Sequence, residues 1–153
     1  MKITRRQARE ITLCLVFDFG FNSDEKPEEL LDLYVTYFPE ADEEKMEDQI
    51  KENDYISDVY FGVAESIEEL DEIISRCSIK WKPERISRVS MSILRLAVYE
   101  LLYMKDIPEE VTVNEAVELA KKYDTDDSYT FVNGVLGAVI KTVLPERTMP
   151  DDK

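Results

Sequence analysis

The sequence predicts an all-α protein, a compact bundle of about seven helices around a central apolar helix at about residues 84–104. The strongest indication is the segment 93–103, ILRLAVYELLY, which carries only two charges, Arg95 and Glu100. Its apolar residues cover nearly every direction around a helix, so this helix is expected to be buried on all sides. The run is too short and too charged to cross a membrane, which takes about 20 apolar residues. The other segments carry apolar residues three or four positions apart, as amphipathic helices do.

The length and composition predict one folded domain, residues 1–153. Apolar residues make up 44% of the chain and charged residues 35%, which indicates a highly soluble protein. The chain lacks a basic start followed by an apolar run and a cleavage site, which argues against secretion and favours the cytoplasm. Cys14 and Cys77 have no CxxC spacing, so buried reduced thiols are expected, with a disulfide or a metal site as alternatives.

The chain has no histidine, and this narrows the classes of function. Histidine is the commonest general base and the commonest metal ligand, so Ser-His-Asp and Cys-His mechanisms are excluded. The carboxylates that could replace it are scattered over helical faces. These carboxylates could still act in acid–base chemistry or bind a hard cation, but the residues by themselves indicate no catalytic, metal or cofactor site.

The net charge of −15 is unevenly distributed along the chain. Residues 24–72 hold 19 acids and 3 lysines, whereas residues 2–9 hold four bases and no acid. Residues 80–105 hold six bases and two acids. The average charge repels nucleic acid, but the local field decides binding, so the basic segments are the candidate binding positions.

The first helix is predicted to run from Thr4, which forms a T-x-x-Q capping box with Gln7, to about Phe21. Arg5, Arg6 and Arg9 fall within an arc of about 100° on this helix. We name these three residues the arginine cluster and expect all three guanidinium groups to be held out at the surface. Because a cation at a helix N-terminus opposes the macrodipole, the cluster suggests phosphate or RNA contact; the alternative is three solvated side chains.

The middle of the chain is predicted to contain a second helix, a weak segment and a third helix. The second helix begins at Pro27 and ends at Pro39. The acidic segment 40–53 is a weak helix or a mobile loop, with only Ala41, Met46 and Ile50 available for burial, and its acids form a solvated face. Residues 54–76 have the apolar spacing of one long amphipathic helix.

The second half of the chain is divided by prolines. Trp81 packs in a break, Pro83 opens the helix that leads into the central run, and Pro108 follows its end. Thr112 and Glu115 form a T-x-x-E capping box that opens the next helix.

Asp127 or Ser128 is predicted to cap the last helix, which Pro145 closes before a frayed tail at 146–153. The pair Asn133-Gly134 is also typical of a β-hairpin turn, but the flanking apolar residues keep helical spacing. We therefore predict a helix in which Gly134, Gly137 and Ala138 form a small face for close packing.

Three stretches together resemble the NusB family of bacterial transcription antitermination and termination factors. They are TRRQAREITLCLVFDF at 4–19, RISRVSMSILRLAVYELL at 85–102 and IPEEVTVNEAVELAKKYDTDDSYTFVNGVLGAVI at 107–140. The resemblance covers the chain end to end apart from the acidic 22–53 region. It implies an all-helical fold of two small halves without enzymatic activity.

The resemblance also implies partners and a site. A NusB-type protein joins NusE, a small-subunit ribosomal protein, and the pair binds the single-stranded box A element of nascent ribosomal RNA. The resemblance implies that this pair acts on the RNA polymerase elongation complex together with other Nus factors. It implies no binding to a membrane. The arginine cluster matches the family's RNA-contacting start, and Lys121 and Phe131 lie where its RNA surface continues.

The sequence departs from the family pattern at three positions that bear on partners and caps. Phe17 stands where a tyrosine is usual and Ser90 where an acid is frequent, and both are predicted partner-binding positions. Asp124 replaces a glycine and is expected to act as a left-handed helix C-cap.

Two alternative functions and one open point accompany this hypothesis. The chain could be the NusB-like RNA-binding domain of an RNA cytosine methyltransferase, although no G-x-G segment of a nucleotide-binding domain is present. It could instead be an acidic adaptor that binds only proteins. A homodimer that covers the arginine cluster is left open. Because of the −15 charge, RNA binding is expected to be weak alone and tighter with a basic partner.

Overall fold

The computed structural model describes residues 3–37, 46–78, 86–125 and 127–147, and within these ranges the chain forms helices and turns without a strand. The predicted all-α class is confirmed. The chain divides into two compact units, Met1–Glu65 and Ser66–Lys153. That residues 1–153 act as a single domain stays a prediction.

Unit 1 contains α1 (Arg5–Phe21), α2 (Pro27–Tyr37), α3 (Met46–Glu52) and α4 (Asp54–Glu65). The predicted capping box of α1 is present, because the Thr4 hydroxyl accepts from the Gln7 N–H at 3.1 Å and the Gln7 side chain accepts from the Thr4 N–H at 2.8 Å. α1 packs against α4 and α2. The core of the unit is apolar and includes Leu15, Val16, Val35, Ile56, Val59 and Tyr60.

The acidic segment forms a short helix where the structure describes it. α3 buries Ile50, as predicted, and leaves Glu47 and Asp48 exposed. Lys51 lies 2.9 Å from Asp32 and 3.3 Å from Glu47, so one cation bridges α2 and α3. Residues 40–45 and the predicted helix end at Pro39 lie outside the described residues.

The prediction of one long helix over 54–76 is wrong, because α4 ends at Glu65 and α5 (Ile67–Cys77) begins after Ser66. Ser66 has φ −107° and ψ 14°, which interrupts the helical backbone for one residue. The apolar spacing runs unbroken through this position, so periodicity alone could not reveal the interruption. α4 packs against α1, whereas α5 packs against α6 (Arg88–Tyr103), so the two helices serve different cores.

Unit 2 contains α5, α6, α7 (Glu109–Tyr123), α8 (Ser128–Ala138), a π-helical turn (Val139–Val143) and α9 (Leu144–Arg147). α6 lies in the middle of this unit and packs against α5, α7 and α8. Ile93, Leu94, Ala97 and Val98 have no exposed surface. The central apolar helix predicted from the segment 93–103 is therefore confirmed within unit 2.

The start of α6 differs from the predicted boundary near residue 84. Ser87 is the N-cap, and its hydroxyl accepts from the Ser90 N–H at 2.9 Å, so the helix begins at Arg88. A serine directly before a helical run is a preferred N-cap, and this was the available sequence signal. The predicted roles of Trp81 and Pro83 lie outside the described residues.

The two charges of the central helix, Arg95 and Glu100, both have partners. The Arg95 guanidinium donates to both carboxylate oxygens of Asp71, at 2.8 and 2.9 Å. The Glu100 carboxyl accepts from the Thr112 hydroxyl at 2.7 Å. The predicted capping box at Thr112 is wrong, since α7 begins three residues earlier, after Pro108, and Thr112 lies inside the helix. Its hydroxyl serves the buried Glu100 instead of the helix end.

The predicted helix across Asn133-Gly134 is confirmed, and Asp127 holds the N-cap position of α8 without a side-chain capping bond. The close-packed small face is wrong, because a Cβ at Gly134 or Gly137 would meet no atom within 4 Å. The predicted stop at Pro145 is also wrong. The π turn widens the helix just before the proline, which relieves the clash of its ring with the preceding turn.

The C-terminal tail and the two cysteines each differ from what the sequence predicted. Glu146 and Arg147 are helical and paired, with Arg76 at 3.3 Å and Glu69 at 3.1 Å, while residues 148–153 lie outside the described part. Cys14 is exposed, not buried, and Cys77 is half-buried; both are free thiols. Cys14 falls on the outward face of α1, which the mixed sequence of this helix did not reveal.

Candidate nucleic-acid interface

The arginine cluster lies on the first two turns of α1, because the Thr4 cap starts the helix at Arg5. Arg5 and Arg6 are exposed. Arg9 is only 4% exposed, so the prediction that all three guanidinium groups are held out at the surface is wrong for this residue. Arg9 lies one turn after Arg5 and faces the interior of unit 1. Its predicted role in RNA binding stays a prediction.

Tyr55, at the start of α4, is the aromatic partner of the arginine cluster. The Cζ atom of Arg5 lies 4.9 Å from the centroid of the Tyr55 ring, and that of Arg9 lies 5.4 Å from it. Both distances are within the range of a cation–π interaction. Sequence reasoning missed Tyr55 as a site residue, since a buried aromatic in an amphipathic helix gives no signal that separates it from the rest of the core.

Phe17 occupies the C-terminal half of the same helix, two turns after Arg9. It is half-buried, and its ring packs edge-to-face against Phe21 at a centroid distance of 5.0 Å. Phe21 is itself 52% exposed. The pair offers an apolar, aromatic contact surface without a hydroxyl, and its use by a partner stays a prediction.

In unit 2 the two predicted RNA-binding residues, Lys121 and Phe131, differ in their exposure to solvent. Lys121 is exposed near the end of α7, and its Nζ atom lies 5.0 Å from the centroid of the Tyr129 ring. Lys122 lies 5.2 Å from the ring of Tyr123. Phe131 is buried in the core of the unit, so its ring is not presented for stacking in this conformation. The exposed groups at this position in unit 2 are therefore the ammonium group of Lys121 and the ring of Tyr129.

Ser90 and Asp124 form a polar contact between the N-terminus of α6 and the C-terminus of α7. The Asp124 carboxylate accepts from the Ser87 hydroxyl at 2.5 Å and from the Ser90 hydroxyl at 2.6 Å. Burial alone raises the pKa of Asp124, but the hydrogen bonds from both serines and from backbone N–H groups outweigh it and lower this pKa. Ser90 is buried, which argues against its direct contact with a partner.

The C-cap at Asp124 corrects a further expectation. Its backbone is extended, with φ −125° and ψ −170°, instead of left-handed. The Thr125 N–H donates to its carboxylate at 2.8 Å. The Asp124 side chain thus accepts from Ser87, Ser90 and Thr125. Because the backbone is extended at this residue, the end of α7 does not need the left-handed conformation that favours glycine.

Neither a metal site nor a membrane span is found among the residues that the structure describes. No group of three or more cysteine, aspartate or glutamate side chains in these ranges is arranged to hold a metal ion. No helix there is long and apolar enough to cross a membrane. Separately, the candidate surfaces pair an exposed cation with an aromatic ring, Arg5 with Tyr55 in unit 1 and Lys121 with Tyr129 in unit 2.

Comparison with known proteins decides the family. The family model described as the NusB family matches residues 6–141. The chain belongs to the NusB family. The resemblance inferred from the three sequence stretches is thereby confirmed.

The NusB relatives match over nearly the whole chain. The transcription antitermination protein NusB of Clostridium novyi (strain NT) is 40% identical over 139 residues, which cover 91% of this chain and 99% of that protein. The solved NusB of T. maritima is 39% identical, covers 96% of this chain and 97% of that one, and superposes with a TM-score of 0.72.

A further NusB structure is similar to this chain and contains other molecules. It holds the antitermination factors NusB and NusE in complex with double-stranded RNA. The identity is 28%, the match covers 90% of this chain and 96% of that one, and the TM-score is 0.72. The NusB fold predicted from the sequence is thus shared with a chain that was solved together with NusE and RNA.

Proposed function

We propose that this chain is a NusB-type transcription antitermination factor that binds RNA and protein. Together with the ribosomal protein NusE it binds the box A element of nascent ribosomal transcripts on the RNA polymerase elongation complex. It acts in the cytoplasm, by binding and not by catalysis. The observation that carries this proposal is the exposed pair Arg5 and Arg6 on the first turn of α1 in a chain of the NusB family.

The position of the two arginines supports a role in binding. A cation at a helix N-terminus opposes the helix dipole and costs about 0.3–1 kcal/mol. The first turn of α1 contains no acid to offset them. A bound phosphate reverses this balance, because guanidinium groups donate paired hydrogen bonds to it and the helix terminus also attracts an anion. The site is therefore better suited to an occupied than to an empty state.

The net charge explains why a basic partner is needed. At −15 the chain as a whole repels a polyanion, and phosphate neutralisation supplies most affinity that does not depend on sequence. In unit 1 the exposed acids of α2 and the preceding loop, Asp24, Glu25, Glu28 and Glu29, offer a surface of the opposite charge to a basic ribosomal protein. NusE would thus both bind this acidic chain and add positive charge to the complex.

We assign Phe17 with Phe21 to partner contact and Lys121 to RNA contact. Phe21 presents an exposed ring beside Phe17, which suits an apolar patch on a protein. Lys121 presents an exposed ammonium group. Phe131 and Ser90 are buried, so any effect of these two residues on binding is expected to be indirect.

The alternatives are less well supported. A methyltransferase domain would be one part of a longer enzyme, whereas the match spans 99% of a relative that is named a transcription antitermination protein. A purely protein-binding adaptor leaves the exposed Arg5 and Arg6 without a role. Only a binding measurement separates this adaptor from the proposed factor.

The test is fluorescence anisotropy with a labelled single-stranded box A RNA, with and without NusE, for the wild type and the Arg5→Ala/Arg6→Ala variant. We expect weak binding by the wild type alone, tighter binding with NusE, and a loss of affinity of at least tenfold in the variant. The slope of log K against log salt should fall by about 0.7 per phosphate contact removed from a single strand.

A matched control removes the same charge elsewhere. Arg76 and Lys141 are exposed in unit 2 and lie outside both basic segments, and the Arg76→Ala/Lys141→Ala variant has the same net charge as the arginine variant. It should bind within about twofold of the wild type, since only overall charge has changed. If the arginine variant binds RNA as the wild type does, with an equal salt slope, the adaptor hypothesis is preferred. The same RNA as a duplex shows whether the single strand is favoured.

A further inference from the structure

The ring of Tyr55 is shared by two like charges of the arginine cluster. Arg5 and Arg9 are four residues apart on α1, and both guanidinium carbons lie within 5.4 Å of the Tyr55 centroid. Two like charges at this spacing repel each other on an isolated helix. The electron-rich ring attracts both and therefore offsets the repulsion. Tyr55 is 4% exposed, so it belongs to a fixed part of α4 and cannot follow a mobile side chain.

The exposed member of this arrangement, Arg5, is thereby restricted. A free arginine side chain samples many rotamers, and fixing it on binding lowers the affinity. A guanidinium packed on a ring uses its face and leaves its N–H edges available for a phosphate. The Arg5 side chain thus loses its conformational entropy when the protein folds. Because this loss does not occur again on binding, the affinity for RNA is higher.

Arg9 has a different position from Arg5. It is buried at 4% exposure, one turn deeper along α1, against the same ring. A buried guanidinium reaches a backbone phosphate poorly, but it fixes the Tyr55 ring from a second point. Arg9 and Tyr55 therefore form the support on which Arg5 rests.

We propose that Tyr55 is a positioning residue of the RNA site, which together with the buried Arg9 holds Arg5 ready for a phosphate. This inference rests on the proposed function and deepens it, because it names which arginine contacts RNA and which residues place it. It predicts that RNA affinity depends on the electron density of the ring at position 55, not only on its shape.

The test varies that electron density at nearly constant shape. Tyr55 is replaced by Phe and by mono-, di- and trifluorophenylalanine, and binding to the single-stranded box A RNA is measured by anisotropy in the presence of NusE. Tyr55→Phe keeps the ring and should bind within about twofold of the wild type. Each fluorine weakens the attraction for a cation, so affinity should fall stepwise, by about threefold to tenfold over the series.

Two controls separate positioning from a general effect on the fold. Phe19 is a buried ring on α1, the helix of the arginine cluster, and fluorinating it should leave RNA affinity unchanged. In an Arg5→Ala background the Tyr55 series should lose its effect, because the ring then has no exposed cation to place. Circular dichroism and thermal melting establish that each variant is folded.

The outcomes also distinguish this inference from the proposed function. If Arg5→Ala weakens RNA binding but the fluorinated series does not, Tyr55 is only a core residue and the proposed function stands. An equal fall of the series in the Arg5→Ala background also overturns the positioning role. If Arg5→Ala/Arg6→Ala binds as the wild type does, the RNA site itself is wrong.

Discussion

The hydrogen bond between Glu100 and Thr112 is the contact whose loss should be most visible in the stability of unit 2. The two side chains are 1% and 2% exposed, and the Thr112 hydroxyl donates to the Glu100 carboxyl at 2.7 Å. It joins the central helix α6 to α7. Thr112→Val removes the donor and keeps the shape of the side chain, so the packing around it is preserved.

The expected cost follows from burial. A hydrogen bond at the surface contributes little, because water replaces the lost partner. At 1% exposure water cannot reach the Glu100 carboxyl in the folded state, so the loss of one donor costs about 1–3 kcal/mol. Glu100 takes part in a further interaction in the structure, so we expect a cost of about 2 kcal/mol, below the upper end of this range.

Urea unfolding followed by far-UV circular dichroism measures the free energy of unfolding. Thr112→Ser is the control, since it keeps the hydroxyl and loses one methyl group, at about 1 kcal/mol. The exposed Thr130→Val on α8 should change stability by less than about 0.5 kcal/mol. A Thr112→Val variant as stable as the wild type would refute the reasoning, because the buried carboxyl would then not depend on this donor.

Two further predictions concern Asp124 and Gly134. The pKa of Asp124 is lower in the folded than in the unfolded state, so its carboxylate stabilises the fold above the unfolded pKa of about 3.9 and loses this effect as pH falls through the folded value. In urea titrations from pH 7 to pH 2 the stability advantage of the wild type over Asp124→Asn should therefore shrink, and a constant difference would contradict the lowered pKa. Gly134→Ala should raise stability by about 1 kcal/mol, seen as a higher Tm, because a Cβ there meets no atom within 4 Å and alanine favours the helix; a lower Tm would reveal a contact that the structure lacks.

The sequence predicted those features that depend on short spacings. The Thr4–Gln7 capping box requires only neighbouring residues, and the structure contains both of its hydrogen bonds. The helix across Asn133-Gly134 followed from apolar spacing that a hairpin could not keep. The central helix was evident because an apolar side chain in every direction leaves no face for water.

The error at Thr112 arose because a side chain can bond either within its own helix or to another helix. Thr112 has the spacing of a cap, yet its hydroxyl serves Glu100, twelve residues earlier. Ser90, which the sequence suggested as a partner-binding position, is buried and donates to Asp124 across 34 residues. Local pattern cannot choose between these uses, since the energy of a buried unpaired carboxyl exceeds that of one helix cap.

By itself the sequence determined the all-α class, the central helix, the start of α1 and, through three stretches of residues, the NusB family. Only the tertiary structure decided how the arginine cluster is divided, with Arg5 and Arg6 exposed and Arg9 buried on Tyr55. Helical spacing fixes the direction in which a side chain leaves its own helix. What lies in that direction, water or the ring of another helix, depends on packing between residues far apart in the chain.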